Sequence, residues 1–238
     1  MTDGIYPNFI RENCFASRYC ELAMDHYYEA LHIYKDIESK NFHASMYAEL
    51  HAMENHIIAT IVFSGMCLES FFNDYAAACL GDDEFYEYFD KLDVKNKFVL
   101  IAKFILKAEV DRSKSYYFHL TSLIKKRNYF VHNKSHKSAF QGYSEEEIQE
   151  IREMMPQDLD YDNMVMGKVT IDEMKSDMKD GLNALKAVRD TANFFDQYDP
   201  NIYALNRLMG PCRIFDSEAQ REQRKLVLSK LGIKVEQI

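Results

Sequence analysis

Glycine and proline are scarce, at eight and four in 238 residues. Long periodic segments without those breakers read as helices, and a 47% hydrophobic content supplies one sizeable core. Cysteine is sparse as well. Cys14, Cys20, Cys67, Cys79 and Cys212 form an odd set with no Cys-x-x-Cys pair, which argues against a disulfide framework or a zinc ribbon. Their mainly apolar settings mark them as core residues rather than nucleophiles. No glycine-rich phosphate loop is present, so nucleotide hydrolysis of the P-loop kind is excluded. Bundle metal sites need repeated Glu-x-x-His pairs, and only Glu29-Ala30-Leu31-His32 has that order, with His51 and Glu54 running in reverse. No metal and no cofactor are expected. The longest strongly apolar run, 57–68, is shorter than the ~20 residues that cross a bilayer. Met1-Thr2-Asp3-Gly4 is not a basic segment followed by an apolar one. A cytoplasmic protein without a membrane partner is the expectation.

The pattern predicts an all-α bundle of about five main helices over 1–197, with a C-terminal helical extension, 198–238, of the same domain. Helical spacing covers about 12–38, 45–80, 83–90, 94–109, 112–133 and 170–197. The second of these is apolar on all sides from Ile57, which marks it as the central helix. Gly81-Asp82-Asp83 stops it, Asp111 is placed to cap the helix at 112, and Asp199-Pro200 ends the one at 197. Ser144-Glu145-Glu146-Glu147 and Thr170-Ile171-Asp172-Glu173 both read as capping boxes, and Ser217 opens a last helix to about Leu231.

One further absence is local. From 112 to 144 there is no Asp or Glu, against seven basic residues: Arg112, Lys114, Lys125, Lys126, Arg127, Lys134 and Lys137. The chain as a whole carries −9, so removing those seven positive charges leaves −16 on the remainder. Such a reversal of sign is the footprint expected where a polyanion docks. Inside it lies Arg127-Asn128-Tyr129-Phe130-Val131-His132. At 100° per residue the apolar stripe of this helix collects Tyr116, Leu120, Leu123, Ile124 and Val131, and Arg127 falls in its middle. A guanidinium there requires a carboxylate, a phosphate or a subunit groove. Asn128 and His132 are four apart, so the amide is placed to orient the imidazole. Lys125 and Lys126 point away from the stripe, and Tyr129, opposite it, is a candidate for base stacking. A plainer reading stays open, in which His132 and the lysines beyond it only complement the dipole of a helix C-terminus.

The Arg-Asn-x-x-x-His hexad near the end of a long helix resembles the signature of HEPN domains, all-helical proteins common in prokaryotic toxin–antitoxin and antiviral systems. Leu123-Ile124-Lys125-Lys126 suits the approach to that motif. Upstream, Met66-Cys67-Leu68-Glu69-Ser70-Phe71-Phe72-Asn73 is similar to a Leu-Glu-x-Phe-x-Asn segment on a buried earlier helix of many HEPN proteins. The resemblance covers about 12–197 as a helix pattern and these two segments as sequence. It implies a metal-independent endoribonuclease acting as a homodimer, a toxin or defence effector with an antitoxin or regulatory protein as a further partner. Arg127 would hold the scissile phosphate of RNA and His132 would be the general acid or base. Asn128 would position His132 or the phosphate, and Glu69 and Asn73 would brace the arginine. Lys125, Lys126, Lys134 and Lys137 would contact the RNA backbone. Lys134 stands where toxins modified by a nucleotidyltransferase antitoxin carry a tyrosine, which argues against that form of control. The competing class is a non-catalytic HEPN-like module that binds RNA, a nucleotide or a protein.

Overall fold

A helix with no polar face has to be surrounded. The computed structural model describes residues 15–40, 46–132, 161–210 and 217–234, and it surrounds the second helix in this way. α2 (Tyr47–Leu80) packs against α1 (Ala16–Lys40), α5 (Ser115–Val131) and α6 (Tyr161–Tyr198). Ile57, Ile61, Cys67, Leu68, Phe71, Phe72 and Tyr75 are all buried along it. Phe72 stacks on Phe195 of α6 at 5.8 Å, and Tyr75 meets the same ring edge-on at 5.1 Å. α2 is long and apolar enough to cross a membrane by length and composition, and half of its most apolar window is buried inside the protein. A bundle's core helix has the same length and composition. Gly81 ends α2 with φ of 92°, a backbone conformation suited to glycine, while its N–H donates to the Ala77 carbonyl at 3.0 Å, and the short α3 (Asp82–Glu84) follows.

The protein is all-α, with no strand among the described residues. Three boundaries depart from the spacing. The predicted helix at 94–109 is α4 (Val94–Leu100) followed by a π turn, Ile101–Ile105, and Leu106 already lies outside it. Ile101 and Ala102 both lie in the core, at 0% exposure, beside Phe98. Asp111 does not cap the next helix. Its carboxylate accepts from the Ser113 N–H at 2.9 Å and hydroxyl at 2.6 Å, so a local turn precedes α5, whose N-cap is Lys114. α6 starts at Tyr161, upstream of the capping box read at Thr170. A cap is worth about 1 kcal/mol and gives way where the helical ladder continues through it. The Ser144 box lies outside the described residues.

The C-terminal helices, α7 (Ala204–Met209) and α8 (Glu218–Lys230), share the core with α1 and α6 through Leu208, Met209, Val227 and Leu228. Asp196 of α6 accepts from the Leu205 N–H at 2.9 Å, and Ser217 opens α8 with a capping box to Gln220. Arg189 of α6 donates to the Leu231 carbonyl, tying down the end of α8.

Between α1 and α2, His26 and His56 hydrogen-bond through their Nδ1 atoms at 2.9 Å, with His26 stacked on Phe63 at 5.7 Å. Burial first, and then His56, holds His26 below its ordinary 6.5, against the pull of Glu29. The unfolded chain therefore binds a proton near 6.5 that the folded chain refuses. This stability is complete above that value and is lost as the pH falls below it. The melting temperature should be lower at about pH 5.5 than at about pH 7.5, and His26→Gln should narrow the gap. A gap of the same size in the variant would assign it to other groups.

Candidate functional site

The stripe of α5 places Leu120 and Leu123 in the core, with Tyr116 and Ile124 half-buried, whereas Val131 at the last turn is 46% exposed. Arg127 emerges in this stripe facing α2. Its Nη2 donates to the Glu69 carboxylate at 3.1 Å and its Nη1 to the Asn128 side-chain oxygen at 3.1 Å. Nε is buried without a hydrogen-bond partner, and the side chain as a whole is 20% exposed. The two helices approach closely here because residue 65 is glycine. A Cβ at Gly65 would stand 2.9 Å from Arg127 Cγ and 3.3 Å from its Cβ. Those atoms sit at the root of the side chain and cannot swing aside without moving the guanidinium. A lone glycine inside an apolar helix costs about 1 kcal/mol against alanine, and a close backbone approach accounts for it here.

Glu69 and Asn73, one turn apart on α2, divide their roles. Glu69 holds Arg127, while Asn73 accepts a 2.7 Å hydrogen bond from Lys97 of α4 instead of bracing the arginine. Asn128 likewise turns its amide oxygen to Arg127 and not to the imidazole. His132 is the first residue beyond α5. Its N–H donates to the Asn128 carbonyl at 2.9 Å, and its ring is exposed.

Along the chain the basic segment is free of acids, but in space it is not. Asp180 of α6 pairs with Lys126, Asp190 of α6 with His119 at 2.8 Å, and Glu69 of α2 with Arg127. Lys126 is therefore drawn to α6 and half-buried, in contrast to its expected place on the open face. The exposed side of α5 carries Phe118 (64%), Lys125, Tyr129 (60%) and His132, all within about 40° of one line on an ideal helix. Lys134 and Lys137 lie outside the described residues. A cavity of about 10 Å³ among Ile61, His119, Leu123, Lys126, Asp180 and Ala184 has room for about one water.

Two residues escaped the sequence reading. Gly65 was visible as a lone glycine in an apolar run. Lys97 was visible as the one polar member of the series Val94, Lys97, Phe98, Ile101, whose spacing is that of a buried helix face. No protein-family description, curated protein or solved structure matches the chain.

Proposed function

We propose that the protein is a metal-independent endoribonuclease of the HEPN type. The observation that carries this is the setting of Arg127. A guanidinium oriented by Glu69 and Asn128 over Gly65 stands on the same short stretch of α5 as an exposed imidazole, His132. Arg127 would bind the scissile phosphate through its fork and meet the charge that builds on the phosphoryl oxygens. The ribose 2′-OH would attack phosphorus as its proton passes to a base. The new 2′-O–P bond forms, the P–O5′ bond breaks, and a proton goes to the departing 5′ oxygen. His132 supplies one of these two proton transfers.

The side chains of residues five apart diverge by about 140° on an ideal helix, so one α5 does not aim both groups at a single phosphate. Two copies of α5 across a two-fold axis would bring Arg127 of one to His132 of the other. Arg127 finds its carboxylate within one chain, so this divergence alone motivates the dimer. Such an enzyme would act in the cytoplasm as a toxin or defence effector, restrained by an antitoxin or regulatory protein. The second reading, a non-catalytic HEPN-like module, is favoured by one observation: Asp180 of α6 neutralises Lys126, one of the lysines of the basic segment.

Incubation of the purified protein with total RNA in EDTA separates the two. Cleavage of RNA but not DNA, lost in His132→Ala, is the expected result. Strict magnesium dependence, or equal cleavage of DNA, would overturn the assignment. Gly65→Ala is a test of geometry. It should keep the helical circular-dichroism signal, since alanine favours helix by about 1 kcal/mol. By displacing Arg127 it should slow cleavage by roughly 10²-fold. A wild-type rate in this variant would show that the close approach of α2 does not set the guanidinium.

A further inference from the structure

Phe118 and Tyr129 stand out from α5 at 64% and 60% exposure. Three turns separate them, so they share one line on an ideal helix and lie about 16 Å apart along it. Neither ring is left to swing freely. Phe118 is met by the His119 ring at 5.8 Å and Tyr129 by the Phe130 ring at 5.4 Å, both edge-on. His119 is itself anchored to Asp190 at 2.8 Å, and Phe130 packs on the core. Both outer rings are thus held from one side while most of each residue stays open to solvent.

The charge along the same line has one sign. α5 contains no Asp or Glu. The acids paired with it, Glu69, Asp180 and Asp190, engage Arg127, Lys126 and His119, none of which lies on this line. Lys114, whose carbonyl accepts from the Phe118 N–H at 3.2 Å, and Lys125 are both exposed and flank Phe118. Lys125 and His132 flank Tyr129 in the same way. Tyr86 and Tyr88 are as exposed, but they stand among the exposed acids Asp83, Glu84 and Glu87, which would repel a phosphate backbone.

Open aromatic rings alternating with lysines suit a strand whose bases are unpaired, since a base in a duplex already spends its faces on its neighbours. A second copy laid along the whole line would set Lys114 and Lys125 against charges of the same sign with no acid between them. We infer that the outer line of α5 is a track for unpaired RNA, in which Phe118 and Tyr129 each stack on a base and Lys125 meets the backbone between them. The strand leads to Arg127 and His132 at the end of the helix. This rests on the ribonuclease reading for the chemistry at that end, and not for the binding itself. At the ~3.4 Å rise of a stacked strand, the two rings are about five nucleotides apart. Phe118 therefore distinguishes strands long enough to reach it from shorter ones.

The test uses two unpaired RNAs, one of about twelve nucleotides and one of about three, which is too short to reach Phe118 from the Arg127 end. Both carry 2′-O-methyl groups, which block attack by the 2′-OH, so that dissociation constants are read without cleavage. Phe118→Ala should raise the constant for the longer strand roughly tenfold and leave that for the shorter one unchanged. Phe118→Tyr keeps the ring and should bind as wild type does, whereas Phe118→Leu keeps only apolar bulk and should bind as the alanine variant does. Thermal melts and sedimentation of every variant accompany the titrations. An unchanged constant for the longer strand in Phe118→Ala would overturn the inference. So would an equal loss with both strands, or rescue by leucine, which would replace stacking by plain apolar contact. Conversion of a wild-type dimer to monomers by Phe118→Ala would assign the line to a second copy instead. Binding of the longer strand without cleavage of its unmethylated form would sink the ribonuclease reading and leave the track standing.

Discussion

Arg127→Ala is expected to lower RNA cleavage by at least roughly 10²–10³-fold, the loss that follows removal of one preorganised donor to a developing oxyanion. The fold should survive it. The Arg127–Glu69 pair is partly exposed, and pairs of that kind contribute about 1 kcal/mol or less. Arg127→Lys should recover little, because an ammonium keeps the charge but cannot bind Glu69, Asn128 and a phosphate through one planar fork. The measurement is single-turnover cleavage of a defined RNA, with circular dichroism and thermal melts run beside it. A variant that unfolds would reassign Arg127 to structure, and a variant that folds and cleaves at the normal rate would remove it from the site.

His132→Ala should be as damaging, by about 10²–10⁴-fold, the usual contribution of a positioned acid or base. The more telling result comes from mixing the two dead variants. If Arg127 of one copy works with His132 of the other, each mixed dimer holds one intact site and one empty one. Random exchange makes half of the dimers mixed, so the mixture should recover about a quarter of wild-type activity. A site complete within one chain would recover none. The same samples should sediment as dimers at micromolar concentration, and a fully active monomer would contradict the shared site.

The elements could be read from the chain because their signals are local. Gly81 at the end of α2, Asp199-Pro200 after α6 and the Ser217–Gln220 box at α8 act over a few residues, and each stands where its chemistry puts it. The stranded position of Arg127 could also be read, as a charge at an apolar phase. The answers to it could not. Glu69 lies 58 residues away, Asp180 is 54 from Lys126, and Asp190 is 71 from His119. No periodicity on α5 reports which acids α2 and α6 will bring against it. Asn73 shows the same limit from the other side, since its spacing from Glu69 suggested a joint role, but Lys97 on a third helix claims it. The π turn after α4 escaped for a different reason: Phe98, Ile101 and Ala102 keep the i, i+3, i+4 spacing of an ordinary helix face, so the pattern does not mark the widened turn.

The most direct test of the site is the chemistry of its products. A short RNA of known sequence, and the same oligonucleotide with single 2′-deoxy substitutions, would be incubated with the wild-type protein in EDTA and weighed by mass spectrometry. Arg127 and His132 working on a 2′-OH attack predict fragments ending in a 2′,3′-cyclic phosphate and beginning with a 5′-OH. Cleavage should vanish at the substituted position alone, and everywhere in His132→Ala. Fragments carrying a 5′-phosphate, or scission that ignores the missing 2′-OH, would contradict the account.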